Sequence, residues 1–347
     1  MGESSADMPY RQGIAPARPA SRPANHRAGF ARHYAALDLG TNNCRLLIAR
    51  PQGDGFAVVD AFSRIVRLGE GLAGTGNLSD AAIERTIAAL RVCSDKLRRH
   101  KVTLARSVAT EACRRAANGA AFIARALEET GIHLDIISAE EEARLAVLGC
   151  HALLEPGTGP ALVFDIGGGS TELVLIDTAT TVPTVLDWHS VPWGVVSLTE
   201  SVAAVDGPAG RAATYARMRA LVRESFAPFA ARLPSGEMQR RLLGTSGTVT
   251  TLASVHLGLD RYDRAAVDGL IAPAAAMREV SSRLAHLSPA ERSSLPCVGR
   301  ERADLVVAGC AILETILDLW PAERVGVADR GIREGILRRL MAGGGRR

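Results

Sequence analysis

The sequence predicts an α/β fold made of two related halves. From Tyr34 onward, strand-like apolar segments alternate with amphipathic helical segments, which favours an α/β architecture. The strand–turn–strand unit "ALDLGTNNCRLLI" opens the first half, and the similar unit "VFDIGGGSTELVL" opens the second. When the two units are aligned, Asp38 matches Asp165 and Gly40 matches Gly167. We therefore expect two structurally similar domains in succession.

The elements of the first half follow in order from its residue patterns. The segments "YAALDLG" and "CRLLIAR" are typical of strands on either side of a turn, and "FAVVDAFSRIVRL" is typical of a third strand. Ser79 to His100 has the periodicity of an amphipathic helix, while "VTLARSVA" and "LDIIS" predict further strands, each followed by a helical segment. At Ala161 the same order of elements begins again.

Composition defines the expected limits of the domains. The chain has 347 residues, of which 47% are hydrophobic and 22% are charged, enough apolar surface for a large core. Residues 1–33 are rich in Arg, Pro and Ala and lack apolar periodicity, which predicts a disordered tail. We interpret this tail as solvated, with a phosphate-binding arm as the alternative. The predicted domains span residues 34–156 and 157–341, and residues 342–347 are predicted to form a second disordered tail.

Charge and cysteine content argue against several classes of protein. Most of the formal net charge of +4 lies in residues 1–33, so the folded part is near neutral and no specific nucleic-acid partner is expected. No apolar segment approaches the roughly 18 residues of a membrane span, and the N-terminus lacks the pattern of a signal peptide. We therefore expect a cytoplasmic protein without a membrane partner. The six cysteines stand singly, which predicts small buried apolar residues rather than a metal or redox site.

The two strand–turn–strand units have the features of phosphate-binding turns. Glycines after a strand let backbone N–H groups approach an anion, because glycine has no Cβ and tolerates positive φ. Asp38 and Asp165 at the strand ends cannot hold phosphate directly, so a hard divalent cation with oxygen ligands is expected between them and the phosphate. A plain hairpin is the alternative, but it has no need of an acid in both copies.

The duplicated hairpin resembles the actin, sugar kinase and Hsp70 type of fold, which is ribonuclease H-like and clamps phosphates in a cleft between two domains. Further segments appear in the order used by the exopolyphosphatase and guanosine pentaphosphate phosphohydrolase (Ppx/GppA) family. They are "SVATEACRRAAN", "IISAEEEARLAVLG", "FDIGGGSTELVL", "VPWGVVSLTE", "LLGTSGTVTTLA" and "DRGIREGIL". The resemblance spans about residues 34 to 340. It predicts a short, two-domain member, without the C-terminal helical region of longer relatives.

The resemblance implies ligand-binding residues on both turns. The phosphate-binding residues would be Thr41, Asn42, Asn43 and Arg45 on the first turn and Gly167, Gly168, Gly169, Ser170 and Thr171 on the second. Asp38, Asp165 and Glu172 would hold Mg²⁺, partly through water; Mn²⁺ in its place and a monovalent cation such as K⁺ are further options. "DLGTNNCR" departs from the more usual form with serines, but it keeps hydroxyl and amide donors.

The family match places a catalytic base in "SAEEEAR", where three adjacent glutamates compete for the role. Ser138 and Glu141 have the spacing of a capping box, and Glu140 is spaced to pair with Arg144 one turn later. Glu142 is left without a local task, and its position immediately before Ala-Arg agrees with the family. The alternative is that all three acids merely favour the helix N-terminus.

Two arginines are candidates for binding phosphate oxygens. Arg114 matches the family's phosphate-binding arginine, which would act in catalysis beside Glu142, and Arg45 lies on the first turn. The planar guanidinium fork fits phosphate and keeps its charge. A solvated surface arginine is the alternative for both, and we interpret Arg115 as solvated.

A third loop, "GTSGT", follows a short apolar run and precedes a helical one. It resembles the loop of the second domain that contacts nucleotide in this fold, so Gly244, Ser246, Gly247 and Thr248 are candidates for an anion site. A plain helix cap is the alternative. Gly194, Gly331 and Gly335 in the remaining family motifs are expected to allow tight packing.

The resemblance implies a Mg²⁺-dependent exopolyphosphatase that releases orthophosphate from the end of inorganic polyphosphate, using a water activated by glutamate. The nearest alternative is removal of the 5′ γ-phosphate of guanosine pentaphosphate (pppGpp) in the same cleft. An actin-like ATP-driven binding protein would need a purine pocket, and a sugar kinase would need an acceptor site with an Asp base. A homodimer is also expected.

Overall fold

The computed structural model describes residues 32–236 and 239–344, which fold around two β-sheets flanked by helices. Most of the predicted N-terminal tail lies outside the described residues. Its last residue, His33, belongs to the fold, because its ring nitrogen Nδ1 lies 2.7 Å from the His100 carbonyl. At the other end, helical structure continues through Gly344, and residues 345–347 lie outside the described ranges.

Five strands form the first sheet, in the order β3-β2-β1-β4-β5. They are β1 (Tyr34–Leu39), β2 (Asn43–Gln52), β3 (Gly55–Ile65), β4 (Leu104–Ala109) and β5 (Asp135–Ile136). The helices of this half are α1 (Leu72–Thr75), α2 (Asp80–Arg99), α3 (Glu111–Arg115), α4 (Gly119–Thr130) and α5 (Ala139–Cys150), followed by a 3-10 turn at His151–Leu153. The predicted helix from Ser79 to His100 is confirmed, with Ser79 capping α2 through a hydrogen bond from the Ala82 amide.

Six strands form the second sheet, in the order β10-β11-β9-β6-β7-β8. They are β6 (Ala161–Ile166), β7 (Thr171–Asp177), β8 (Thr184–Val191), β9 (Arg241–Thr245), β10 (Ile271–Pro273) and β11 (Arg324–Ala328). The helices are α6 (Val195–Ser201), α7 (Gly207–Ala230), α8 (Gly247–His256), α9 (Arg264–Val267), α10 (Ala274–His286), α11 (Pro289–Ser294), α12 (Val306–Leu319) and α13 (Ile332–Gly344). Apart from the added edge strand β10, this order repeats that of the first sheet.

The duplication predicted from the sequence is therefore confirmed in the strand order and extends to small details. In each half the first strand pairs antiparallel with the second and parallel with the fourth. The second strand has an irregularity after Ile48 in β2 and after Leu175 in β7, which are matched residues in the alignment of the two halves. The two halves thus share one architecture.

Helices α5 and α13 connect the two sheets. Leu145 of α5 and Ile336 of α13 pack with Ala36 of β1 in one buried cluster, while Val147 of α5 packs with Val163 of β6 in another. Helix α13, which the sequence places mostly in the second domain, therefore contributes to the core of the first sheet. The two helices touch closely, because a Cβ on Gly335 would collide with the Leu145 carbonyl.

Two composition-based expectations have direct structural counterparts. Five of the six cysteines are buried, and Cys297 is half-buried. All six thiols are free, as expected for small apolar side chains. Among the described residues, no helix is both long enough and apolar enough to cross a bilayer.

Candidate active site

The first turn joins β1 to β2 and places Asp38 opposite Arg45. These residues are register partners in the ladder, and the Gly40 amide closes the turn by donating to the Asn43 carbonyl at 2.9 Å. Thr41 and Asn42 at the tip are buried. The turn therefore presents a carboxylate and a guanidinium side by side.

The second turn joins β6 to β7 with the same geometry but different chemistry. Asp165 is the register partner of Glu172, and the Gly167 amide donates to the Ser170 carbonyl at 2.9 Å. The Arg45 position of the first turn is thus occupied by a carboxylate, Glu172. Ser190 on β8 holds that carboxylate by donating to Glu172 Oε1 at 2.9 Å.

Backbone donors behind each turn fix the direction of its peptide groups. Behind the first turn, the Gly69 amide donates to the Thr41 carbonyl at 2.9 Å. Behind the second, the amides of Val195 and Val196 donate to the carbonyls of Gly167 and Gly168 at 3.0 and 2.8 Å. Because N–H and C=O point in opposite directions in a trans peptide, the following amides face away from these donors. Amides oriented in this way are available to donate to an anion.

The two turns meet around a cavity of about 140 Å³. A Cβ on Gly168 would lie 3.0 Å from Thr41 Cβ, and one on Gly169 would lie 2.6 Å from Thr41 Oγ1. Glycine is therefore required here for a close approach between the turns rather than for a positive φ. The fold brings the two predicted turns together in one site.

Glu142 lies at the start of α5 and lines this cavity. Its carboxylate is buried and accepts a hydrogen bond from Arg114 Nη1 at 2.9 Å. Burial raises the pKa of Glu142 well above its ordinary range, and the negative charge of Glu172 adds to this effect, while Arg114 opposes it. A carboxylate with a raised pKa is suited to accept a proton near neutral pH.

The other two glutamates of this segment face elsewhere. Glu140 pairs with Arg144 at 2.7 Å, as predicted. Ser138 caps the helix by accepting from the Glu141 amide at 3.1 Å, but the reciprocal half of the predicted capping box is absent among the described residues. The Glu141 carboxylate binds Arg106 at 2.8 Å instead, because a charged partner on β4 is within its reach. Only Glu142 of the three glutamates points into the site through a buried carboxylate.

Arg114 is held within a network of acceptors. Its guanidinium donates to Glu111 Oε2 at 2.7 Å, to the Ile137 carbonyl at 2.8 Å and to Glu142. It is not among the residues that form the cavity wall in the described part of the chain. In this arrangement Arg114 orients Glu142, and its predicted contact with phosphate stays a prediction.

Six carboxylates and four arginines line the cavity. Burial raises the pKa of Asp165 to about 6, with a further contribution from Asp38. Burial likewise raises the pKa of Glu172 to about 7, with a contribution from Asp165. These carboxylates disfavour one another's charged forms, so the cavity residues alone are poorly suited to a polyanion without protons or a compensating cation.

Asp38, Asp165 and Glu172 are the candidate ligands for a hard divalent cation, which would take only part of its coordination from the protein. Asp38 Oδ1 is buried and has no hydrogen-bond partner among the described residues. Within those same ranges, no three His, Cys, Asp or Glu side chains are grouped closely enough to form a complete ligand set. Mg²⁺ commonly binds through one or two carboxylates, several waters and substrate oxygens, so one or two of Asp38, Asp165 and Glu172 could serve as its ligands.

The third predicted loop also reaches the cavity, through Ser246, Gly247 and Thr248 between β9 and α8. Ser246 has φ of 101°, a strained conformation for a residue with a side chain, and its buried hydroxyl has no partner in the described ranges. Strain and an unpaired hydroxyl at a cavity wall are features of functional sites. Thr245 Oγ1 ties this loop to the Arg330 carbonyl at 2.6 Å.

Two predicted site residues serve packing instead. Thr171 is buried and donates through Oγ1 to the Trp193 carbonyl at 2.6 Å. Gly244 leaves space for the ring of Phe164. Neither residue is part of the cavity wall in the described ranges. The remaining predicted residues of the two turns, including Asn43 and Ser170, do line it.

Three arginines of the cavity wall were missed by the sequence interpretation. Arg302 precedes α12 and donates to Thr251 Oγ1 at 2.7 Å, while Arg330 is held by Asp268 at 2.7 Å. Arg333 opens α13, and burial lowers the pKa of its guanidinium. Arg330 and Arg333 belong to "DRGIREGIL". The sequence interpretation assigned a role in this segment only to its glycines, which were expected to allow tight packing. The packing prediction for Gly194 and Gly335 fits, because a Cβ on either would collide with backbone.

Comparisons with known proteins agree with this geometry. The profile of the Ppx/GppA phosphatase family matches residues 47–343. A relative named Exopolyphosphatase 2, from Mycobacterium tuberculosis, is 35% identical over 292 residues, which cover 81% of this chain and 89% of the relative.

Solved structures show the same architecture. The crystal structure of the Aquifex aeolicus member of the Ppx/GppA protein family aligns with a TM-score of 0.74 and 28% identity, covering 91% of this chain and 99% of that one. An exopolyphosphatase from Cytophaga hutchinsonii aligns with a TM-score of 0.80 and 23% identity over 90% of this chain and 98% of its own, and so shares the fold. The predicted α/β fold of two actin-like halves is confirmed. With matched turns, a buried glutamate and this extent of similarity, the chain belongs to the Ppx/GppA phosphatase family.

Proposed function

We propose that this protein is an exopolyphosphatase, which hydrolyses the terminal phosphoanhydride bond of inorganic polyphosphate and releases orthophosphate. The observation that carries the proposal is the buried Glu142 carboxylate at a cavity where the two glycine-containing turns meet. The name of the Mycobacterium tuberculosis relative supports the choice of substrate.

In the proposed reaction, the terminal phosphate binds between the turns. The amides of Gly168 and Gly169 donate to its oxygens, and Arg45 and Arg333 add positive charge at the cavity wall. A water between Glu142 and the phosphorus loses a proton to Glu142 as its oxygen bonds to the phosphorus. The bond from phosphorus to the bridging oxygen breaks, and the shortened polyphosphate leaves with that oxygen and its electron pair. Arg114 keeps the Glu142 carboxylate in one orientation during this step.

Mg²⁺ bound at Asp38, Asp165 and Glu172 would neutralise charge on the phosphate oxygens. Mn²⁺ in its place, a monovalent cation such as K⁺, and the predicted homodimer and cytoplasmic location stay predictions. In the described part of the chain, the cavity wall contains four arginines and six carboxylates. The arginines can bind phosphate and the carboxylates can bind a cation, so the wall suits a substrate that carries both.

Guanosine pentaphosphate is the second candidate substrate. The family name includes enzymes of this class, but the cavity wall, within the described ranges, contains no aromatic side chain on which a base could stack. A repeating phosphate chain needs no such contact. This favours polyphosphate over pppGpp, and it also argues against ATP as a good substrate.

The direct test is to incubate the protein separately with polyphosphate, pppGpp and ATP in the presence of Mg²⁺ and to measure released orthophosphate. We expect the highest kcat/KM with polyphosphate and loss of release when a chelator removes the cation. Equal turnover of ATP and polyphosphate would contradict the proposal, and preferential turnover of pppGpp would replace its substrate.

A further inference from the structure

Ser197 on α6 lies behind the second turn and is not part of the cavity wall within the described ranges. Its hydroxyl is buried, accepts from the Gly194 amide at 2.9 Å, and lies 3.0 Å from the Gly169 carbonyl and 3.1 Å from the Pro192 carbonyl. The side chain thus connects the start of α6 with the last glycine of the turn.

The Gly169 carbonyl differs from its two neighbours in the turn. The carbonyls of Gly167 and Gly168 each accept hydrogen bonds from backbone amides of α6. For the Gly169 carbonyl, the donor found in the described part of the chain is the Ser197 hydroxyl. Because this carbonyl belongs to the same planar peptide as the Ser170 amide, a hydrogen bond from the Ser197 hydroxyl, whose single proton is also within reach of the Pro192 carbonyl, orients that N–H group.

We infer that Ser197 is a positioning residue for substrate binding, which aims the Ser170 amide at a phosphate oxygen in the cavity. The inference rests on the proposed function, since it assumes that phosphate binds between the turns. A hydrogen bond to a charged acceptor contributes more than a neutral one and depends on good alignment. Loss of the hydroxyl should therefore weaken phosphate binding without removing any residue that touches the substrate.

The first turn has no equivalent side chain in the described ranges. There the Thr41 carbonyl accepts from the Gly69 amide, and the Asn42 carbonyl accepts from the amides of Val66 and Arg67. Backbone hydrogen bonds resist single substitutions. The second turn is consequently the one whose geometry a single hydroxyl controls.

The test compares Ser197→Ala with Ser201→Ala in the full chain. The Ser201 hydroxyl donates to the Ser197 carbonyl within α6 at 2.7 Å, so the control loses a hydroxyl from the same helix without contact to the turn. Steady-state release of orthophosphate from tripolyphosphate with Mg²⁺ gives KM and kcat, and calorimetric titration with inorganic phosphate gives a dissociation constant without turnover. Thermal unfolding is measured for each variant.

For Ser197→Ala we expect KM for tripolyphosphate and the phosphate dissociation constant to rise by about tenfold, with kcat changed by less than about threefold. Ser201→Ala should match the wild type in both. A Ser197→Ala protein with a lower Tm but wild-type KM and phosphate affinity would show a purely structural role and overturn the inference.

Two further arms keep the test decisive. If Ser197→Ala does not fold, Ser197→Cys, with a weaker donor of similar size, is expected to raise KM by a smaller factor, and an unchanged KM counts against the inference. If the wild type releases no phosphate from tripolyphosphate, the proposed function fails, and the Ser197 inference is then judged on the phosphate titration alone.

Discussion

The two turns of this protein share a backbone but differ in the charge that each presents. In the first turn Asp38 faces Arg45 across the ladder, and in the second Asp165 faces Glu172. The first turn therefore offers a cation to the phosphate, and the second offers an extra anion. The difference teaches that two turns with the same backbone geometry can present opposite charges through one matched position. In the proposed reaction, Arg45 would strengthen phosphate binding and Glu172 would strengthen cation binding.

The largest effect is expected from a residue that belongs to neither turn. Changing Glu142→Gln keeps size and hydrogen bonding but removes the proton acceptor, so kcat should fall by on the order of 10² to 10⁴. Substrate binding by the two turns should be nearly unchanged, as measured by titration of the variant with tripolyphosphate.

Glu141→Gln is the matched control for Glu142→Gln. The Glu141 carboxylate is bound to Arg106 and Arg339 on the outer side of the helix, so its loss should cost little in kcat. Kinetics in which Glu141→Gln abolishes turnover and Glu142→Gln preserves it would contradict the assignment of the base.

The acidic character of the second turn should have a cost in stability. The pKa of Asp165 is raised from 3.8 to about 6 in the folded protein. The folded state therefore keeps its full stability below the unfolded pKa, where the carboxyl is protonated, and loses stability as the pH rises through about 6. At pH 8, without metal, Asp165→Asn should stabilise the fold by about 3 kcal/mol, since each pKa unit corresponds to about 1.4 kcal/mol.

Urea unfolding of the Asp165→Asn variant and the wild type at pH 4 and pH 8 measures this effect. The two proteins should differ little at pH 4 and most at pH 8. A stability difference that is the same at both values would mean that ionisation of Asp165 is not its source.

The cationic character of the first turn should appear in substrate affinity. Arg45→Met keeps a long side chain and removes the charge, so KM for tripolyphosphate should rise by roughly 10 to 100-fold, the loss of one charged hydrogen-bonding partner. Glu172→Gln should instead raise the Mg²⁺ concentration needed for half-maximal rate. Initial rates measured over a range of tripolyphosphate and Mg²⁺ concentrations distinguish the two variants. A changed Mg²⁺ requirement in Arg45→Met, or a raised KM for tripolyphosphate in Glu172→Gln, would contradict the proposed roles.

The smallest expected effect on activity comes from adding a methyl group to a glycine in each turn. A Cβ on Gly169 would lie 2.6 Å from Thr41 Oγ1, whereas one on Gly40 would have its nearest neighbour, the Asn43 carbonyl oxygen, at 3.7 Å. Gly169→Ala should separate the turns and lower kcat/KM by about tenfold, or about 1.4 kcal/mol, while Gly40→Ala should stay near the wild type. Comparable losses in both variants would show that the turns need glycine for another reason.

Much of the fold and part of the site could be predicted because their signals are local. The matched "LDLG" and "FDIG" segments specify strand ends with an acid and a glycine, and folding reproduces the same turn twice. Glu142 could be separated from Glu140 because the Arg144 partner of Glu140 lies one helical turn away. These patterns depend on neighbours in the chain, which the sequence shows directly.

The remaining assignments depended on which distant segments folding brings together. Local spacing predicted that the Glu141 carboxylate would cap its own helix, but a partner on β4 binds it instead. Arg114 was identified as a phosphate ligand, and the structure shows that it also donates to Glu142 on α5, which is 28 residues away in the chain. No local pattern reveals such long-range partners.

By itself, the sequence determined the α/β class, the duplication and the two turns, because periodicity and matched segments encode them. Its resemblance to the family singled out Glu142. Only the tertiary structure decided that Arg302 and Arg333 join the cavity wall, that Arg114 holds Glu142, and that Ser197 holds the glycine turn. These contacts connect residues far apart in the chain. Their formation depends on the packing of the two sheets through α5 and α13, a property of the whole fold rather than of any segment.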